Sequence, residues 1–143
     1  IGAMSATTEQ KYISAMKDFG MNLGISFQIR DDILDYEGKL SITGKRTGGD
    51  IKEKKITLPL IYSLNQVSNA KATKIRKIIK NGKDASEVEK VIDFVKENKG
   101  IDYAIGEARN YSQKAKDAIS ILPDSQSRIA LQALVDFVID RKN

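Results

Sequence analysis

The sequence predicts an all-α protein. Apolar residues recur at helical spacing along most of it, as in Val88, Val91, Ile92 and Val95, which fall at i, i+3, i+4 and i+7. No segment alternates apolar and polar residues as a half-buried strand would. The two prolines stand at expected helix boundaries, Pro59 in a first turn and Pro123 in a connecting turn. With 143 residues the chain is about one domain long. We expect a single all-α unit over 1–143, its helices joined by short connections.

Each element follows from local signals. Thr7, Thr8 and Glu9 offer capping chemistry, and a long helix is expected from there to about Tyr36. Gly20 and Gly24 lie inside it. Each costs about 1 kcal/mol relative to Ala, so close packing or room for a ligand is expected at both. Segment 37–55 is polar and glycine-rich, too broken for one helix. Thr57 then caps a helix running to about Val67, with Pro59 in its first turn. A basic helix follows over 71–80, where Ile75, Ile78 and Ile79 form a stripe opposite the Lys and Arg residues. Asn81-Gly82 is its C-terminal stop. Segment 84–99 is amphipathic, and Gly100 is expected to break it. From 100 to 122 the apolar set Ile101, Ala104, Ile105, Ala108, Ala115, Ala118, Ile119 and Leu122 makes a narrow, Ala-rich stripe suited to close helix packing. Pro123-Asp124-Ser125 is a turn and cap, and the last helix is expected to bury Leu131, Leu134, Val135 and Val138.

Composition removes several chemistries. There is no Cys, no His and no Trp, which excludes disulfides, soft-metal sites, haem ligation and Ser-His or Cys-His catalysis. A cysteine-free chain points to a reducing, cytoplasmic setting. No apolar run approaches the roughly 18 residues that span a bilayer, and no signal peptide is visible. The start, Ile1-Gly2-Ala3-Met4, reads as the interior of a longer protein or as a processed or engineered end. The net charge of +5 is modest. The basic stretch 71–80 is read as a solvated helix face, and few aromatics accompany it, so nucleic-acid binding is not expected.

The chemistry concentrates in Phe27-Gln28-Ile29-Arg30-Asp31-Asp32-Ile33-Leu34-Asp35. On a helix, Asp31 and Asp35 share a face, and Gln28 lies one turn earlier. Unpaired carboxylates this close repel one another, and a cation relieves that repulsion. Oxygen donors with no His or Cys suit a hard ion, with Mg²⁺ the best fit. A short way on comes Gly44-Lys45-Arg46-Thr47-Gly48-Gly49-Asp50, and then Lys55. Glycines let the backbone approach an anion, and lysines bind phosphate as point charges. Together they suggest a Mg²⁺–diphosphate site in which carboxylates hold the metal and Lys45 neutralises phosphate. The Walker A pattern is absent.

These residues carry a resemblance. The stretch 27–36, the loop Gly44-Lys45-Arg46-Thr47-Gly48-Gly49-Asp50 and Lys55-Ile56-Thr57-Leu58-Pro59-Leu60 closely resemble trans-polyprenyl diphosphate synthases, where they form the second aspartate-rich motif and its following loop. Ile1-Gly2-Ala3-Met4-Ser5-Ala6, Phe19-Gly20-Met21-Asn22-Leu23-Gly24 and the tail from Tyr103 to Arg141 look like the family too, with a flavour of the octaprenyl type.

The resemblance implies the C-terminal part of the isoprenoid synthase helical bundle. It also implies a Mg²⁺-dependent prenyltransferase that joins an allylic diphosphate to isopentenyl diphosphate in isoprenoid biosynthesis. Carried over residue by residue, Asp31 would be the main ligand of one Mg²⁺, with Asp32 and Asp35 acting directly or through metal-bound water. Gln28 would contact the site, Lys45 would bind the allylic diphosphate, and Lys55 would have a less direct role. Lys54 stands where the family pattern has Gly. Arg141 matches a basic C-terminal segment near the isopentenyl site, or is simply solvated.

The family's first aspartate-rich motif is missing, so the fragment alone is expected to be inactive, with exposed apolar surface on the first helix and homo-oligomerisation to cover it. Peripheral membrane association would come through the product. Two alternatives remain at this stage: a terpene-cyclase-like member of the same superfamily, and a non-catalytic helical subunit that completes a catalytic partner.

Overall fold

The computed structural model describes residues 1–37, 48–81 and 84–141. They form eight helices: α1 (Gly2–Ala6), α2 (Gln10–Glu37), α3 (Gly49–Lys52), α4 (Leu58–Asn65), α5 (Asn69–Asn81), α6 (Ala85–Glu97), α7 (Gly100–Ala118) and α8 (Gln126–Asp140). The described residues contain no strand, so the class is all-α. None of these helices is long and apolar enough to cross a membrane. Contacts divide the chain into two compact units, and α2 and α7 each supply residues to both.

One unit comprises Ile1–Arg30 and Glu107–Arg141. Its core is Phe19, Ala115, Ile119 and Val135, with Met16, Leu23, Ala118, Leu122 and Leu131 packed around them. The small residues of α7 admit a polar pin. The buried Ser26 hydroxyl donates to the Ala108 carbonyl at 3.0 Å and pairs with the Ser112 hydroxyl at 2.8 Å. The Ser26 and Ser112 hydroxyls are thereby both hydrogen-bonded, which offsets the cost of burying them. Ser125 caps α8 as expected, accepting from the Arg128 amide. The burial expected on α8 needs one correction. Val135 and Val138 are buried, but Leu134 is 45% exposed. One residue is about 100° of helix, so Leu134 sits round from Val135 on the outer side with Phe137. Among the described residues, packing does not explain Gly20 and Gly24 either: a Cβ at either meets nothing within 4 Å. They leave a bare strip on the exposed side of α2, beside Met21 and Phe27.

The other unit is built on Asp31–Gly106. Tyr36, Ile51, Leu60, Leu64, Ala72, Ile75, Ile79, Val88, Val91, Ile92, Phe94 and Val95 form its core. The apolar stripe of α6 is buried as its spacing requires, and the basic residues of α5 are exposed opposite Ala72, Ile75 and Ile79, a solvated face. Gly82, the expected stop after α5, lies outside the described residues.

Two boundary readings change in this unit. The residue that turns the chain after α6 is Lys99, at φ 57°, while Gly100 opens α7. Gly100 is required for a different reason: a Cβ there would stand 2.3 Å from the Pro59 carbonyl oxygen and 2.3 Å from Ser63 Oγ. Thr57 does occupy the N-cap position of α4, but its hydroxyl makes no cap bond. It pairs instead with the Tyr36 hydroxyl at 2.8 Å. Two short helices, α1 and α3, carry too few residues to show periodicity and were not expected from the sequence.

Candidate functional site

The acidic residues lie at the C-terminal end of α2, and their environments differ. Asp31 is exposed, while Asp32 and Asp35 are half-buried between the buried Ile33, Leu34 and Tyr36. Among the described residues no group of three or more carboxylates is placed to hold a metal ion together. The spacing explains part of this, since Asp32 is about 100° round the helix from Asp31. The rest comes from Asp35, whose carboxylate is turned to the backbone of α3.

Asp35 accepts the Gly49 amide on Oδ1 at 2.9 Å and the Asp50 amide on Oδ2 at 3.1 Å, and its own carbonyl accepts the Gly48 amide at 3.0 Å. Three successive N–H groups thus converge on one residue. Burial pushes the Asp35 carboxyl above its usual value, the two amides pull it back, and the neighbouring Asp50 pushes it up again. Tyr36, next along, is pushed up to about 12, chiefly by burial; the Thr57 hydroxyl opposes this, and Asp35, Asp50 and Asp32 add to it.

Beyond Gly48 the chain makes a tight turn. Gly48 lies in the left-handed region at φ 79°, and a Cβ there would be 2.2 Å from Val88 Cγ1. A side chain at this position is therefore barred both by conformation and by space. The Lys55 amide donates to the Asp50 carbonyl at 2.8 Å, and its ammonium pairs with Glu53 at 2.7 Å and Asp50 at 3.1 Å. Hydrogen bonds to Glu53, then Asp50, raise the Lys55 pKa. This lysine is exposed and already engaged with two carboxylates of its own turn. Lys54 adopts φ 60°, the conformation that glycine takes at least cost. Lys54→Gly is expected to raise stability by about 0.5–1 kcal/mol, read as a higher urea midpoint at unchanged slope. A lower midpoint would contradict the backbone assignment.

The other site residues are placed as follows. Gln28 is exposed on α2, one turn before Asp31. Lys45 lies outside the described residues, as do Gly44, Arg46 and Thr47. Arg141 is not simply solvated: its guanidinium lies 4.6 Å from the centre of the Phe27 ring, a cation–π contact worth about 0.5–1 kcal/mol. The Arg141 carbonyl accepts from Arg30 Nε at 3.2 Å and Nη2 at 2.9 Å. Arg30 carries no local signal for this role, because its partner is 111 residues away in sequence.

The Asp31, Asp32 and Asp35 oxygens are hard donors, and Asp31 and Asp32 face the requirements of Mg²⁺ without any competing soft ligand. The donor chemistry therefore fits the expected ion, while both Asp35 carboxylate oxygens accept backbone amides.

Comparison with known proteins agrees with the resemblance. The sequence profile of the family described as Polyprenyl synthetase matches residues 1–96. The octaprenyl diphosphate synthase of Haemophilus influenzae is 39% identical over 127 residues, which is 89% of this chain and 39% of that protein. The crystal structure of geranylgeranyl pyrophosphate synthetase from Pyrococcus horikoshii superposes with a TM-score of 0.86 at 34% identity, over 95% of this chain and 41% of that one. The polyprenyl synthase from Caulobacter crescentus, complexed with calcium and isoprenyl diphosphate, gives a TM-score of 0.86 at 30% identity, over 99% of this chain and 44% of that one. The chain spans less than half the length of these relatives. With its profile match, its all-α fold and its acidic motif on α2, the chain belongs to the polyprenyl synthetase family.

Proposed function

We propose that this chain is the C-terminal part of a Mg²⁺-dependent all-trans polyprenyl diphosphate synthase working in the cytoplasm. Its substrates are an allylic diphosphate and isopentenyl diphosphate. In the overall reaction the allylic C–O bond breaks, diphosphate leaves, a new C–C bond forms to the isopentenyl double bond, and a proton is lost. The observation that carries the reading is the family match over residues 1–96, which includes the acidic end of α2 and the turn fastened to it.

In this reading Asp31 and Asp32 hold Mg²⁺, with Gln28 one turn earlier. When bound, the ion supplies positive charge to the departing diphosphate. Lys45 binds the allylic diphosphate as a point charge. The pairing of Lys55 with Asp50 and Glu53 supports a role in shaping the turn more than direct contact with phosphate. Calorimetric titration with Mg²⁺ and a non-hydrolysable allylic diphosphate analogue tests the site. Asp31→Ala is expected to weaken binding by roughly tenfold or more, and unchanged binding would remove the metal site from α2.

The exposed Ile1, Met4, Met21 and Phe27 support the expectation of self-association. Size-exclusion chromatography is expected to give a species larger than the 15.9 kDa chain, and a clean monomer would count against it.

A further inference from the structure

We propose that Asp35 is a positioning residue and not a metal ligand: its carboxylate and carbonyl fasten the 48–55 turn to the end of α2. The purpose of that turn rests on the diphosphate-site reading above, but the fastening does not. Consecutive amides of Gly48, Gly49 and Asp50 donate to the Asp35 carbonyl, Oδ1 and Oδ2 at 3.0, 2.9 and 3.1 Å. Each carboxylate oxygen thus accepts a backbone N–H, which fixes the carboxylate's direction toward α3, and among the described residues it joins no group of three carboxylates placed to hold an ion. The close approach depends on glycine. Gly48 is left-handed with no space for a Cβ, and a Cβ on Gly49 would stand 3.3 Å from Asp35 Oδ1. Asp50, held in this way, receives both the amide and the ammonium of Lys55. The contacts therefore run unbroken from Asp35 to Lys55. Asp31 is exposed and Asp32 half-buried on the same end of α2.

The test uses the 143-residue chain and two readouts. In metal-free buffer, Asp35→Ala is expected to speed hydrogen exchange at the Gly49 and Asp50 amides by roughly tenfold or more. Asp35→Asn keeps one acceptor oxygen and is expected to give a smaller rise, while Asp31→Asn leaves both amides as they were. Calorimetric titration with Mg²⁺ alone is the second readout. Asp35→Asn is expected to retain wild-type affinity, and Asp31→Asn to lose it. Unchanged amide exchange in both Asp35 variants would overturn the proposal. So would an Asp35→Asn loss of Mg²⁺ binding as large as that of Asp31→Asn. Should Asp35→Ala fail to fold, Asp35→Asn decides. Should wild type itself bind no Mg²⁺, the metal reading of α2 falls, while the exchange data still decide the fastening.

Discussion

Gly100→Ala is expected to destabilise the chain by about 3 kcal/mol, a loss at the upper end of single substitutions. The new Cβ would lie 2.3 Å from the Pro59 carbonyl oxygen, 2.3 Å from Ser63 Oγ and 2.9 Å from Val95 Cγ1. None of these can yield cheaply. The Ser63 hydroxyl is fully buried and donates to the Pro59 carbonyl at 2.9 Å, and Val95 is fully buried in the same core. Relief would require α4 to move away from the start of α7, opening voids in a close-packed interior. Urea denaturation followed by circular dichroism measures the loss. Gly20→Ala and Gly24→Ala serve as controls, because a Cβ there meets nothing and helix propensity alone should add about 0.5–1 kcal/mol. If all three substitutions moved stability alike, crowding at Gly100 would not be the reason for its glycine.

The second large effect is expected at high pH. Tyr36 is almost fully buried and its pKa is pushed up to about 12 from the ordinary 10.0. A group with a raised native pKa contributes stability that is intact below its unfolded value and is lost as pH climbs toward the native one. Below about pH 10 the phenol is neutral in both states. Between pH 10 and 12 the unfolded chain ionises first, and about 3 kcal/mol of stability is expected to disappear. Denaturation at pH 9 and at pH 11.5 measures it. Tyr36→Phe is expected to flatten this dependence and to remove one late step from the phenolate absorbance titration. At neutral pH the same variant should cost about 1–2 kcal/mol, since it leaves the buried Thr57 hydroxyl without its 2.8 Å partner. A pH dependence unchanged by Tyr36→Phe would assign the alkaline loss elsewhere.

Local chemistry made much of this molecule legible. The Val88, Val91, Ile92 and Val95 stripe is buried, and Ser125 caps its helix, because both depend on neighbours within a turn or two. Where local signals failed, a distant partner had intervened. Thr57 stands at a cap position, yet Tyr36, 21 residues away, takes its hydroxyl. Gly100 looked like a helix stop, but its role is set by Pro59 and Ser63 across the core. Leu134 fits a stripe four positions wide, and the core is narrower than that. The same holds at the site. Residue types and spacing located the acidic motif, and the donor chemistry agrees with a hard cation. Spacing alone could not show that Asp35 is turned toward Gly49 and Asp50, since that depends on amides 14 and 15 residues further on. The Lys45 assignment falls outside the described residues.

The division of the chain also bears on how it folds. Asp31–Gly106 is a continuous run whose core can close from nearby segments, whereas the other unit joins Ile1–Arg30 to Glu107–Arg141. Phe19 meets Ala115, Ser26 meets Ala108 and Arg30 meets Arg141 only after a long intervening loop has been drawn in. Loop closure grows costly with length, and contacts of high sequence separation form late. Among these residues, the contacts within Asp31–Gly106 are expected to form before those that join the two flanking segments, with the carbonyl of Arg141 among the last pieces to find its place.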